Sequence, residues 1–228
     1  MTTSVLPLAF AGLPIEPRAT RGMPEQRDVS GPIELMGARM TFSRNAEIYG
    51  ETEPAEYLYK VVSGAVRTCK VTSDGRRQIG GFYLPGDIFG LEGGPFHSFS
   101  AEAIGEATVL VVKRKPLMAL AARDGDVARQ LWASTAAELN RAQGRLLLLI
   151  KSAQERVAGF LLEMAGRGSR HDEVVLPMTR QDIGEYLGLT IETVSRTLTS
   201  MQESALIELA STRRIVLRNR DALERLGS

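Results

Sequence analysis

The chain has 228 residues, 43% of them hydrophobic, with 28 Lys and Arg against 27 Asp and Glu and a formal net charge of +1. That leaves room for one large domain or two small ones around a real core, and it excludes reading any partner from bulk charge. The single cysteine, Cys69, excludes an internal disulfide and an all-cysteine iron–sulfur cluster, and it fits a reducing, cytoplasmic setting.

Residues 1–32 are rich in Pro, Gly and Thr, show no periodicity, and read as a loosely ordered arm. Their apolar run "VLPLAFAGLPI" is short, contains prolines and lacks a basic lead-in, so it is not a signal peptide. No run of about 18 apolar residues suggests a membrane span.

Residues 33–120 have the texture of short strands. "YLYKVVSGAVRTCKV" turns at Ser63-Gly64 and "SDGRR" marks a hairpin at Asp74-Gly75. "GGFYLPGDIFG" turns at Pro85-Gly86, and "SFSAEAIGEATVLVVK" supplies two more strands. A β-roll or barrel is expected.

The texture turns helical near Pro116, and a long helix is expected from Asp126 to Ala153, within a segment bounded at 121–153. Trp132, Thr135, Leu139, Ala142, Leu146, Leu149 and Ala153 alternate at spacings of three and four, a heptad seam suited to a second copy of the chain. The same stripe also suits a helix packed on its own β domain. "RLLLLIK" is apolar on more than one face, which is compatible with both.

Residues 154–228 form a third segment. After "QERVAGFLLEMAG" and the glycine-rich break "AGRGSRHD" comes "TRQDIGEYLGLTIETVSR". Thr179 is an N-cap with Asp182 three residues on, as in a capping box. Ile183, Tyr186 and Leu187 form a buried stripe, and Gly188 suits a left-handed helix end. Thr190 caps a second helix whose Val194 and Leu198 face inward. Ile191, Glu192, Ser195 and Arg196 are left on its outer face, near its N-terminal end. Two short helices so joined make a helix-turn-helix, whose second helix enters the DNA major groove. Arg196 can donate twice to guanine and Glu192 can accept from cytosine. The i, i+4 spacing of Glu192 and Arg196 suits a preorganised fork. "ALIELASTRRIVLRN" reads as two strands around a turn carrying Arg213 and Arg214, a wing that lies over phosphates. The eleven basic and eleven acidic residues from Lys151 onward cancel, so such a surface depends on local arrangement.

"TRQDIGEYLGLTIETVSR" resembles the helix-turn-helix signature of the CRP/FNR family of bacterial transcription regulators, and "YLGLTIETVSR" looks most like its FNR and FixK branches. "SGAVRTCKVTSDGRRQIGGFYLPGDIFG" is similar to the family's β-roll. The resemblance implies an α+β chain: a β-roll like a cyclic-nucleotide-binding domain, a dimerisation helix and a winged helix-turn-helix. It implies base reading by Glu192, Ser195 and Arg196, with Ile191 where the cyclic-AMP receptor branch usually has arginine. Thr179, Arg180, Thr190, Thr193, Arg213 and Arg214 are expected on the DNA backbone. The implied partners are a palindromic duplex of the type TTGAT-N4-ATCAA, RNA polymerase and a second copy of the chain, with no membrane. Activation of low-oxygen respiratory and nitrogen-fixation genes is implied on the same ground.

The roll departs from the cyclic-nucleotide branch. That branch's Gly-Glu-Leu and Arg-Ser-Ala runs correspond to Gly90-Leu91-Glu92 and Phe99-Ser100-Ala101, so Phe99 stands where an arginine would hold the phosphate. The arm has none of the cysteines by which the FNR branch holds its cluster. For haem the candidate ligands are Cys69, His97 and His171. Cys69 reads as a core residue and His97 as an exposed loop residue, so no cofactor and no metal is expected. The alternative is a regulator gated by an unidentified small molecule in the roll. An enzyme finds no support: "GLEGGPF" is not a P-loop, and the two histidines and one cysteine sit in unrelated stretches. A winged helix that binds protein rather than DNA is the nearer rival.

Overall fold

The computed structural model describes residues 32–148, 150–168, 170 and 172–227. The arm, apart from Pro32, lies outside these residues, as do the seam position Leu149 and the haem candidate His171.

A short helix α1 (Pro32–Met36) leads into eight strands: β1 (Ala38–Phe42), β2 (Glu47–Tyr49), β3 (Tyr57–Ser63), β4 (Val66–Val71), β5 (Arg77–Tyr83), β6 (Ile88–Phe89), β7 (Ser100–Ala103) and β8 (Ala107–Lys113). They form two four-stranded sheets, ordered β1-β8-β3-β6 and β2-β7-β4-β5. The expected turns are present: Gly64, Gly75 and Gly86 have φ of 78°, 81° and 97°, which side chains resist and glycine does not. The roll's interior is aromatic, with Tyr49, Tyr59, Tyr83 and Phe89 packed on Val61, Val66 and Val109.

His97 corrects the expectation of an exposed loop residue. It is 3% exposed, its ring stacks on Tyr49 at 3.6 Å, and among the described residues neither ring nitrogen has a hydrogen-bond partner. A Glu92 carboxylate oxygen is 3.7 Å from Nδ1, beyond hydrogen-bond reach. Burial disfavours the imidazolium and holds the His97 pKa below its ordinary value. Cys69 is buried as expected, and burial pushes its thiol up to about 11.

Helix α2 (Arg114–Ala121) is followed by α3 (Gly125–Leu148). The long helix therefore stops at Leu148 rather than running on to Ala153. The reason is local: Ser152 and Glu155 form a reciprocal capping box, which starts a new helix, α4 (Ala153–Arg167). Early in α3, Val127 and Leu131 pack on the roll beside Leu110 and Leu117. Further along, Trp132, Leu139 and Leu146 are 75%, 57% and 67% exposed.

The remaining elements are β9 (Glu173–Val175), α5 (Arg180–Leu187), α6 (Ile191–Glu203), β10 (Ile207–Leu209), β11 (Arg214–Leu217) and α7 (Arg220–Gly227). The wing is a three-stranded sheet, β10-β11-β9, because β9, just after the glycine-rich break, adds to the two strands expected. A single apolar cluster joins this unit to the roll: Cys69, Ile79, Phe82 and Ile104 pack with Phe160, Tyr186, Leu198 and Ile215.

Two outcomes follow from this packing. A Cβ at Gly184 would lie 2.6 Å from the carbonyl oxygen of Leu189, a backbone atom that cannot step aside. Gly184→Ala should therefore destabilise the protein by about 1–3 kcal/mol in urea unfolding. His97 binds a proton in the unfolded chain near its usual pKa of about 6.5 but resists it when folded. Its contribution to stability is complete above that value and declines as the pH falls below it. Urea unfolding of His97→Leu between about pH 5 and 8 should give a shallower pH dependence than the parent.

Candidate nucleic-acid interface

Helix α5 starts where the sequence indicates. Thr179 Oγ1 accepts from the Asp182 N–H at 3.1 Å, and Asp182 Oδ2 accepts from the Thr179 N–H at 2.9 Å, so both halves of the capping box are made. The helix ends at Gly188, whose φ of 66° reverses the chain while its N–H bonds to the Gly184 carbonyl. Ile183, Tyr186 and Leu187 are buried. Thr190 caps α6, accepting from the Thr193 N–H at 3.2 Å. Val194 and Leu198 face inward, with Met201 continuing the stripe.

This leaves a polar outer face. Ile191, Glu192 and Arg196 are exposed and Ser195 is half-buried. Among the described residues Glu192 and Arg196 form no ion pair, so the fork expected from their spacing is not made. Glu192 is held below the usual carboxylate range first by its own backbone N–H, then by the Thr190 hydroxyl, and least by Arg196. The Thr190 and Thr193 hydroxyl oxygens lie 3.0 Å apart. Thr179 is exposed and Arg180 half-buried at the start of α5.

The two wing arginines differ. Arg213 is exposed at the turn. Arg214 grips Glu173 of β9 through Nε at 2.5 Å and Nη2 at 3.0 Å, which ties the third strand to the wing. No local pattern marks this pairing, because the partners lie 41 residues apart.

Chain-distant partners also converge on α5. Asp182 is 1% exposed, and its second oxygen, Oδ1, accepts from Arg67 Nη1 at 3.1 Å and Arg77 Nη2 at 2.9 Å, both on the roll. Arg77 Nε donates to Glu185 at 2.7 Å, and Gln78 Nε2 to the Glu185 carbonyl at 2.6 Å. No local pattern marks these arginines as partners of a helix about a hundred residues later.

A cavity of about 210 Å³ between the roll and α3 is lined by Tyr49, Tyr83, Glu92, Phe99, Glu138 and Arg145 among others. Phe99 lies so close over Gly80 that a Cβ there would sit 2.8 Å from its ring. The lining carries two carboxylates and one guanidinium.

Comparison with known proteins agrees with this architecture. Residues 155–226 match the family model of the Crp-like helix-turn-helix domain, and residues 39–124 that of the cyclic nucleotide-binding domain. The nitrogen fixation regulation protein FixK of Azorhizobium caulinodans is 53% identical over 202 residues, covering 86% of this chain and 82% of the relative. FixK of Rhizobium meliloti is 39% identical, covering 91% and 98%. The structure of FixK2 from Bradyrhizobium japonicum is similar with a TM-score of 0.79 and 53% identity, covering 84% of this chain and 98% of that one. Among the described residues no helix is long and apolar enough to cross a membrane. The chain belongs to the CRP/FNR family of DNA-binding transcription regulators, most like its FixK branch, and is not an enzyme.

Proposed function

We propose that this chain is a FixK-like activator. It binds a TTGAT-N4-ATCAA type of palindrome as a homodimer, without a bound effector, and recruits RNA polymerase in the cytoplasm to genes of low-oxygen respiration and nitrogen fixation. The observation that carries the reading is the outer face of α6, where Glu192, Ser195 and Arg196 stand clear of the core at the helix's N-terminal half. Thr179, Arg180, Thr190, Thr193 and Arg213 flank that face as phosphate contacts, with Ile191 beside a base edge. Arg214 serves chiefly to hold β9. The physiological setting is supported by the names of the FixK relatives.

Dimerisation is supported by α3. Trp132, Leu139 and Leu146 lie on one exposed stripe with Thr135, and Ala142 is half-buried within it. A helix packed only on its own roll would not leave a Trp and two Leu in water. Independence from an effector is supported by Phe99 over Gly80. A second reading, gating by a small molecule, is favoured by the cavity between the roll and α3, where Glu138 and Arg145 face the roll's interior.

The test is binding of the purified protein, without additives, to the palindrome and to all its single-base variants at several salt concentrations. Tight binding to the parent duplex supports the reading, and its absence favours the gated alternative. Arg196→Ala should cost about 1–3 kcal/mol per half-site and relax the preference at one guanine. Arg213→Ala should weaken every duplex alike and lower the salt slope by about one unit. An equal loss on every variant for Arg196→Ala would move that residue to the phosphates.

The dimer is tested separately. Leu139→Glu with Leu146→Glu sets carboxylates in the seam and should give monomers with weak DNA binding. Sedimentation that still shows the parent's dimer would remove the seam from the interface.

A further inference from the structure

A capping box needs one carboxylate oxygen. In Asp182 that oxygen is Oδ2, which accepts from the Thr179 N–H at 2.9 Å and from Thr179 Oγ1 at 2.7 Å. On an isolated helix Oδ1 would face water. Here it is buried and accepts from Arg67 and Arg77, which lie 115 and 105 residues earlier in the chain. Arg67 is itself held from behind: its Nε and Nη2 donate to Glu102 Oε2 at 2.9 and 2.7 Å, and Nη2 reaches Asn45 Oδ1 at 3.2 Å. Arg77 spans from Asp182 to Glu185, and Gln78 holds the carbonyl of that same residue.

The consequence is directional. Helix α5 cannot rotate or slide on the β4–β5 strands without stripping a buried carboxylate of two charged donors. Helix α6 cannot move independently of α5, since Gly184 lies against the Leu189 carbonyl and Gly188 closes the turn between them. The aim of α6 relative to the roll is therefore set by these arginines. In a dimer joined along α3, the roll's orientation in turn sets how far apart the two α6 helices lie.

We propose that Arg67 and Arg77 are positioning residues for DNA recognition: from the roll, through Asp182 and Glu185, they fix the separation and angle of the paired α6 helices. This rests on the homodimeric DNA-binding reading above. It goes beyond that reading because both arginines lie on roll strands, outside the helix-turn-helix. A merely stabilising ion pair would lower affinity for every duplex equally. A positioning pair sets which half-site spacing fits best.

The experiment measures affinities of the full-length protein for duplexes with the same half-sites separated by three, four, five and six base pairs. Unfolding curves and sedimentation confirm fold and dimer for each variant. The parent should prefer one spacing. Arg77→Ala should reduce the affinity ratio between the preferred spacing and the others by about tenfold. Arg77→Lys, which keeps a cation for Asp182 or Glu185, should recover part of that ratio. Gln78→Ala leaves every buried charge paired and still loosens α5. It should reduce the ratio more weakly, so the question remains answerable if Arg77→Ala folds poorly. A parent with a clear spacing preference, retained in Arg77→Ala and Gln78→Ala or lost equally across all duplexes, overturns the positioning role alone. A parent that binds none of the duplexes overturns the effector-free DNA-binding reading on which this role rests, a failure distinct from lost spacing selectivity.

Discussion

The buried carboxylate of Asp182 is the constraint on which the arrangement of this chain depends. A carboxylate at 1% exposure is costly unless its lone pairs are taken up, and here both oxygens are occupied twice. Removing one partner of such a buried pair typically costs about 3–5 kcal/mol, because the remaining charge is left without compensation. Ion pairs at the surface, such as Arg76 with Asp74, are screened by water and contribute far less. Asp182 is thus satisfied half by the cap of its own helix and half by the roll.

Apolar packing works in the same direction. Tyr186, four residues after Asp182 on α5, lies 5.1 Å from Phe82 of the roll and 5.8 Å from Phe160 of α4, while Phe82 and Phe160 are 6.2 Å apart. Aromatic pairs at these distances add about 0.5–1.5 kcal/mol each beyond the area they bury. Burial also pushes the Tyr186 hydroxyl up to about 12, which keeps it neutral in this contact. Arg167, near the end of α4, reaches back to Asp87 and to the Phe82 carbonyl. Roll and helix-turn-helix thus share one core, although each matches its own family model.

What the sequence made legible was local. Caps, glycine turns and the inward stripe of α5 and α6 are set by residues within four positions of each other, and each stands where its spacing indicates. The hairpin glycines are of the same kind. What stayed hidden depends on chain-distant partners. The sequence around Glu173 carries no strand signal of its own, and the strand forms by pairing with β11 and Arg214. His97 stands among Gly, Pro and Ser, a composition that suggests exposure, yet its backbone is pinned to Glu53 and Thr52 and its ring is drawn into the aromatic core. The break after Leu148 was missed because an unbroken heptad stripe outweighed the Ser152–Glu155 box within it.

The last third of the chain is neutral, so a DNA-binding surface there depends on how its charges are paired. Many of its acids have partners: Glu173 in Arg170 and Arg214, Glu163 in Arg167, Glu208 in Arg218, and Glu155 in the Ser152 cap. The two acids closest to Thr179 and Arg180 are Asp182 and Glu185, where uncompensated charge would repel phosphate most strongly. Their compensation comes from Arg67 and Arg77, which are not counted in that third at all. Arg196 and Arg213, by contrast, are exposed, and among the described residues neither forms an ion pair. A tally by sequence segment therefore misses which charges on this face stand without a partner. Charges act over a Debye length of about 8–10 Å, and within that range the roll and the helix-turn-helix form one electrostatic surface.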